Sequence, residues 1–288
     1  MDVTVIILTK NEEVNIPECI KSLDGFAKRV VVVDSFSTDR TEKIAREMGA
    51  EFYQNKFVTY AKQFNWGMDN ISIDTKWTMR LDADERLTPE LCKELTEIAF
   101  AHDDDEINGV VMEAWMFFMG RKIKHGCRTK RKLMLFKTGV GRIEDIRMDE
   151  RTVLLHGTSV MAKNKFIHHD FKNMTFWINK LNWYATREMQ DYFDYISGNA
   201  KLITNNFDPS LTKIRKLKYG FYYKCPLFLR CWLLFIYNYI FRLGFLDGKE
   251  GFIYNYMYHR WYRTLVDAKI LEQKLTGKPF EETGDLKE

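Results

Sequence analysis

The first hundred residues alternate between short β-branched apolar runs and stretches whose apolar residues recur at helical spacing. VTVIIL (3–8) has the pattern of a strand, and Asn11 to Leu23 carries Ile16, Ile20 and Leu23 on one helical face. RVVVVD (29–34) is a second buried strand; Thr38-Asp39 supply helix-start residues for a helix near Arg40 to Met48. A third cycle runs through Glu51 to Tyr53 and a helix from Thr59 to Met68. KWTMRLD (76–82) is a strand ending in a carboxylate, and Thr88-Pro89-Glu90 opens a further helix. Such alternation predicts parallel strands joined by crossover helices, an α/β domain. Ligands of these sheets bind beyond the carboxyl ends of the strands, where this chain carries Thr9, Asp34 and Asp82.

From Asn108 the pattern changes. GVVMEAWMFFMG and RKLMLFK are longer, less alternating strands, and a helical stretch runs from Thr175 to about Tyr192. A composition shift near Phe207 divides the chain into 1–206 and 207–288. The net charge of +4 hides an asymmetry: Phe207 to Leu271 holds eleven Lys/Arg against four Asp/Glu. Tyr219 to Tyr262 also holds seventeen aromatic residues in forty-four positions. CPLFLRCWLLFIYNYIFRLGFL is membrane-like, yet Arg230 and Arg242 leave eleven uncharged residues between them. A spanning helix needs about 20 apolar residues. With Lys213, Arg215, Lys216, Lys218 and Lys224 just ahead, the segment predicts an amphipathic helix in the headgroup plane of an anionic membrane surface. The other reading is a core or oligomer-forming helix. Nucleic acid is not expected as a partner, because no binding motif accompanies the charge. Five scattered cysteines without a CxxC pair argue against a disulfide framework or a zinc site and fit a reducing compartment. VTVIIL is not preceded by a basic leader or cleavage site, so the expected location is cytoplasmic.

Asp82 and Asp84 of LDADE end a buried strand, and strand alternation predicts that both point to one face. Two adjacent carboxylates call for a cation between them, and a hard divalent ion such as Mg²⁺ or Mn²⁺ shares such sites with phosphates. Helix N-capping ahead of Leu87-Thr88 is the competing role of Asp84 and Glu85. Asp103-Asp104-Asp105 has similar composition but sits among polar residues, as a solvated loop does.

VTVIILTKNEEVNIPECIKSL, VVVDSFSTDRT and LDADE, in that order, resemble the nucleotide-binding half of family 2 glycosyltransferases with the GT-A fold. The resemblance continues through YAKQFNWGM, MGRKIKHG, KLMLFK, MDER and GFLDGKEG, covering most of the chain, and is similar to bacterial lipopolysaccharide-core and O-antigen enzymes. It implies a GT-A catalytic domain over 1–206 with a mainly parallel central sheet. Within it, 1–100 is the nucleotide-binding half and 101–206 the acceptor-binding half; a helical membrane-associating region follows over 207–288. It places Thr9, Asn11 and Glu12 along the nucleoside pocket, Asp34 on the uracil ring with Ser35 beside it, and Lys62 and Asn65 near the nucleotide. Without the resemblance, Asp34 fits a turn or cap equally well, and Lys62 and Asn65 an exposed helix face. The same analogy puts Asp82 near the ribose and metal, makes Asp84 the main metal ligand, and lets His168 complete the metal shell or contact a phosphate. A core or helix-start histidine is the alternative for His168.

Inverting transfer needs a base for the acceptor hydroxyl. MDER places Glu150 there, with Asp149 where the family commonly has His, so either carboxylate can serve; a surface salt bridge with Arg147 or Arg151 is the alternative. Arg121, His125 and Lys132 are candidates to steer sugar or diphosphate, or else form a solvated basic loop. The resemblance thus implies a hexosyltransferase dependent on Mn²⁺ or Mg²⁺, using a UDP-sugar donor and a lipid-linked saccharide acceptor in surface polysaccharide assembly. It would act as a peripheral protein on the inner face of the bacterial inner membrane. The competing classes are a non-catalytic membrane-surface scaffold and a nucleotidyltransferase, which usually has a Gly-rich basic loop where this chain has TKNEE.

Overall fold

In the computed structural model of the chain, which describes residues 1–127, 130–144, 151–198 and 217–277, the first apolar run becomes β1 (Val3–Thr9). It lies parallel between β2 (Arg29–Asp34) and β4 (Trp77–Asp82), with β3 (Glu51–Gln54) parallel to β2 on the outside. Val3, Val5, Ile6 and Ile7 of β1 and Val31, Val32 and Val33 of β2 are all inaccessible to solvent. Strands covered on both faces must be apolar at successive positions, which is why these segments read as continuous Val/Ile runs. The crossovers are α1 (Ile16–Lys21), α2 (Thr41–Glu47) and α3 (Tyr60–Asn70). Helix α1 is shorter than the spacing predicts, because Asn11 takes a left-handed backbone (φ 53°) and turns the chain before Pro17 can start the helix.

Beyond β4 the sheet becomes mixed. After β5 (Glu85–Arg86) and α4 (Pro89–Ala101) come β6 (Ile107–Phe118), β8 (Arg131–Lys137) and β11 (Thr158–His168). The sheet order is β3-β2-β1-β4-β8-β6-β11-β5. β8 runs antiparallel to β4 and β6, β11 is parallel to β6, and β5 is antiparallel to β11. β9 (Gly141–Ile143) and β10 (Thr152–Leu154) form a separate antiparallel pair. Thr59 and Thr88 cap α3 and α4 as the sequence predicts, accepting from the amides of Lys62 and Leu91. β11 is not visible as a strand in the sequence: it is polar, largely exposed, and shifts register between Met161 and Lys165. At that shift the Glu94 carboxylate accepts from the amides of Lys163 (2.7 Å) and Asn164 (2.8 Å).

All these strands belong to one compact unit, Met1–Gly120 with Thr129–Phe171; the second unit comprises Arg121–Arg128 with Lys172–Glu288. In the second unit α5 (Met174–Ile196) buries Leu181, Ala185, Met189 and Tyr192 against Tyr262, Val266 and Ile270 of the helix Tyr262–Thr276. The packing boundary therefore falls before α5, ahead of the composition shift near Phe207. β7 (Arg121–Ile123) and the loop after it also belong here. There the buried Asp247 accepts from the amides of Lys124 (2.8 Å) and His125 (2.7 Å). Gly126 (φ 65°) sits where a Cβ would come within 2.7 Å of the Asn238 carbonyl oxygen, so only glycine fits.

Asp267, fully buried, accepts from the Phe228 amide (2.7 Å) and from Nε of Arg230 (2.9 Å), itself 1% exposed. Removing one member of such a pair leaves an uncompensated buried charge. Asp267→Ala is therefore expected to destabilise the protein by about 3–5 kcal/mol in urea unfolding followed by circular dichroism. A loss below about 1 kcal/mol, the range of surface pairs, would show that the pair holds little.

Candidate active site

The parallel register places Thr9 opposite Asp34 and Leu8 opposite Asp82, so the predicted residues meet at one end of the sheet. Asp34 is buried; its carboxylate accepts from Thr9 Oγ1 (2.8 Å), Ser37 Oγ (2.5 Å) and the Ser37 amide (2.7 Å). These bonds hold the 34–37 turn, in which Phe36 takes a left-handed backbone (φ 59°) that bulky side chains rarely adopt. Asn11 donates its amide to Ser37 Oγ (2.8 Å) and accepts from the Thr38 amide (2.8 Å). Glu12 donates its amide to Thr41 Oγ1 (2.8 Å), and its carboxylate accepts from Asn15 Nδ2 (2.8 Å). The loops after β1 and β2 are thus tied by side-chain-to-backbone bonds, which bring Thr9, Asn11, Glu12, Asp34 and Ser35 together.

Lys62 and Asn65 are not part of that gathering. Lys62 is exposed on α3. Asn65 gives its amide nitrogen to the Ile143 carbonyl (2.9 Å) and takes the Ile143 amide on its oxygen (3.0 Å), so it clasps α3 to β9. The α3 residue that reaches this cluster is Gln63, missed by the sequence reading: it is buried and donates to Ser35 Oγ (3.1 Å). Helix phase explains the slip, since positions 62 and 65 flank the inward-facing 63 and 64.

The carboxylates are arranged differently from the expectation. β4 ends at Asp82, Ala83-Asp84 form a turn, and Glu85 starts β5. Strand alternation therefore stops before Asp84, and Asp82 and Asp84 do not act as a pair. Asp82 accepts from Tyr60 OH on one oxygen and from the Lys132 ammonium on the other. Lys132 Nζ also donates to Glu85 Oε1 (2.5 Å), and Glu85 Oε2 accepts from the Asp82 amide (3.0 Å). Burial works to raise the Asp82 carboxyl. The Lys132 and Arg80 charges, with hydrogen bonds from Lys132 and Tyr60, overcome it and hold Asp82 well below the usual carboxylate range. Glu85 is pushed up to about 7 by burial and by the charges of Asp82 and Asp84. Lys132 is shifted upward against its burial by the same two carboxylates, Asp82 and Glu85. It is a partly buried counter-ion to both carboxylates and not part of a solvated loop.

Asp84, Glu85 and His168 are the candidate metal group: each offers one ligand atom, all within 4.8 Å of one another. The antiparallel pairing of β5 with β11 sets His168 opposite Glu85, and His168 Nε2 lies 3.4 Å from Asp84 Oδ2. Two carboxylate oxygens and an imidazole suit a hard or borderline divalent ion, and imidazole favours Mn²⁺ over Mg²⁺. Lys130 Nζ lies 3.0 Å from His168 Nε2 and Lys132 Nζ is bonded to Glu85, so a metal ion there would take the place of these ammonium groups at the same donor atoms. The donor set fits the implied ion, with Glu85 in the place assigned to Asp82.

Asp149 and Glu150 lie outside the described residues. In the second unit Arg121 is ion-paired with Glu250 (3.0 Å) and His125 Nδ1 lies 3.0 Å from Asp247 Oδ1, and these contacts hold the 121–127 loop. The 103–105 acidic stretch is a turn as expected, with Asp103 on Lys76 and Asp105 on His102.

Residues 4–154 match the family model described as Glycosyl transferase family 2. The chain is 25% identical to an uncharacterized glycosyltransferase of Rickettsia bellii, over 99% of this chain and 91% of that one. It is 30% identical over 150 residues to the lipopolysaccharide core biosynthesis glycosyltransferase LpsC of Rhizobium meliloti, covering 50% of this chain and 54% of LpsC. Of the other Rickettsia relatives, that of Rickettsia typhi is covered over 67% of its length and three more over 36% to 40%. Among solved structures, residues 1–349 of S. aureus TarS align over 98% of this chain and 93% of that one, with 15% identity and a TM-score of 0.46.

The Lys132 bridge has a measurable consequence. Lys132→Met strands the buried carboxylate of Glu85 beside the partly exposed Asp82 and is expected to cost about 3–5 kcal/mol of unfolding free energy. Tyr60→Phe removes the hydroxyl that donates to Asp82 and accepts from Arg80 Nε (3.0 Å), and is expected to cost about 1.5–3 kcal/mol. Equal small losses in urea titrations would mean that Lys132 is not the ion that makes the pair tolerable.

Proposed function

We propose that this chain, which belongs to glycosyl transferase family 2 and has the GT-A fold, moves a hexose with inversion from a UDP-sugar to a lipid-linked saccharide acceptor in lipopolysaccharide or other surface polysaccharide assembly. The observation that carries the reading is the convergence of Asp84, Glu85 and His168 beside the strand ends that hold Thr9 and Asp34. The likeness to LpsC over half the chain supports the pathway. A Mn²⁺ or Mg²⁺ ion held by that group would supply the charge that stabilises the departing diphosphate.

The chain's own residues supply the rest. The loops after β1 and β2 are held in place by Asp34, Asn11 and Glu12 before any nucleotide arrives, so donor binding needs little reordering there. The pyrimidine is assigned to the Asp34–Ser35 end of the pocket, with Gln63 fixing the Ser35 hydroxyl. Glu150, or its neighbour Asp149, takes the proton of the acceptor hydroxyl as its oxygen attacks the anomeric carbon opposite the diphosphate. Attack from that side inverts the configuration. An acceptor anchored in lipid places the enzyme at the inner face of the cytoplasmic membrane.

The test is release of UDP from a panel of UDP-sugars with Mn²⁺, Mg²⁺ or EDTA. Asp84→Ala is expected to lower turnover on the order of 10²–10³-fold. Glu150→Gln is expected to lower kcat while leaving UDP affinity unchanged. Normal turnover of Asp84→Ala in EDTA would overturn the reading, and UDP binding without turnover on any acceptor would favour a scaffold.

A further inference from the structure

The second unit contains a helix whose polarity is reversed. Along Leu229–Phe241, the polar side chains Arg230 and Asn238 are buried, while Phe241 is 73% exposed and Leu229 51%. Trp232, Leu233, Ile236 and Ile240 complete the exposed row, at the three- and four-residue spacing that defines one face. A helix of a water-soluble surface carries the opposite pattern. The row continues past the bend into the exposed Leu243, Phe245 and Leu246. Contiguous apolar surface of this kind marks an interaction site, whereas scattered single residues do not.

We infer that this face enters the acyl region of one leaflet, so that the unit is held by apolar insertion and not by headgroup charge alone. The inference rests on the membrane location proposed above and specifies how it is achieved. Thirteen residues of helix, Leu229–Phe241, extend about 20 Å, short of the roughly 30 Å hydrocarbon core. The chain then bends by 71° into Gly244–Thr276, and no single helix among the described residues is long and apolar enough to cross. An in-plane, one-leaflet arrangement fits these lengths. A broken span or re-entrant loop made by the bent pair is the other arrangement they admit, and the charged Arg230–Asp267 pair inside the unit favours the first.

Charge selects lipid over a second copy of the chain. Between residues 217 and 262 the carboxylates are Asp247 and Glu250 alone. Asp247 is taken by backbone amides and Glu250 by Arg121. The flanking cations are Lys224, Lys249 and Arg260, the last stacked 4.1 Å over Trp232. A symmetric self-interface would bring like charges together, whereas phosphate headgroups complement them. Trp232 and Tyr237 are amphipathic aromatics of the type enriched at membrane–water boundaries. The basic run Lys213, Arg215 and Lys216, on which the sequence-based expectation leaned, lies outside the described residues.

The full chain is floated with neutral phosphatidylcholine vesicles in about 0.5 M salt, where surface attraction is screened. Retention is expected, with fluorescence quenched by brominated acyl chains and that quenching diminished in Trp232→Phe. The double variant Leu233→Glu, Ile236→Glu is expected to weaken retention at least about tenfold with an unchanged circular dichroism spectrum; both side chains are exposed, so folding does not require them. Binding confined to anionic vesicles and abolished by salt would overturn insertion while leaving membrane docking intact. Failure to bind any vesicle would overturn both. Lipid-free dimerisation lost in the same double variant would assign the face to a second copy instead. UDP release without vesicles, measured in parallel, separates all of these outcomes from failure of the transferase reading.

Discussion

Two carboxylates three residues apart, Glu85 buried and Asp82 partly so, repel each other unless a cation stands between them, and here that cation is Lys132. It comes from β8, the strand that joins β4 in antiparallel fashion and ends the parallel part of the sheet. The change of strand direction therefore does chemical work as well as topological work. With Asp82 and Glu85 neutralised from below, the chain turns through Ala83-Asp84, and Glu85 pairs with His168 across β5 and β11. Asp84 is aimed by that turn. Its carbonyl is fixed by the amide of His169 at 2.9 Å.

The same logic of early commitment governs the nucleotide end. A parallel sheet aligns the ends of β1 and β2, but alignment alone leaves two flexible loops. Hydrogen bonds from Thr9, Asn11, Glu12 and Ser37 remove that freedom. Short polar side chains suit this role because they reach neighbouring backbone groups without leaving the loop. The TKNEE and DSFSTDRT segments are rich in them for a structural reason before any ligand is considered.

This divides what could be read from the sequence from what could not. β1, β2 and β4 were legible because double-sided burial forces an apolar run, and the caps at Thr59 and Thr88 because capping is local. β11 was illegible because it is polar and shifts register, its irregularity anchored by Glu94, a residue on a distant helix. The candidate metal group was half legible: Asp84 and His168 were named from the sequence, but Glu85 was read only as a helix cap because alternation was carried past the end of β4, where it no longer applies. Asn65 and Gln63 were exchanged for want of helix phase, which depends on the packing of α3 and not on its composition.

Arg230 is the most instructive case. In the sequence it interrupts an apolar stretch and counts against insertion, since a charged residue on a helix is read as facing water. In the fold it faces Asp267 in the interior of the second unit, and the apolar residues around it face outward. Hydropathy averages over a helix and cannot register this inversion; only the identity of a buried partner can. The core of that unit is supplied separately, by α5 against Tyr262, Val266 and Ile270. The outward row on Leu229–Phe241 therefore lies outside that core, with its Trp232 stacked under a side chain of the unit, Arg260. A polar interior joined by a buried ion pair and an apolar exterior left uncovered form one arrangement, because the first allows the helix to fold with the second exposed. Its solvation can then be met by lipid without rearranging the fold.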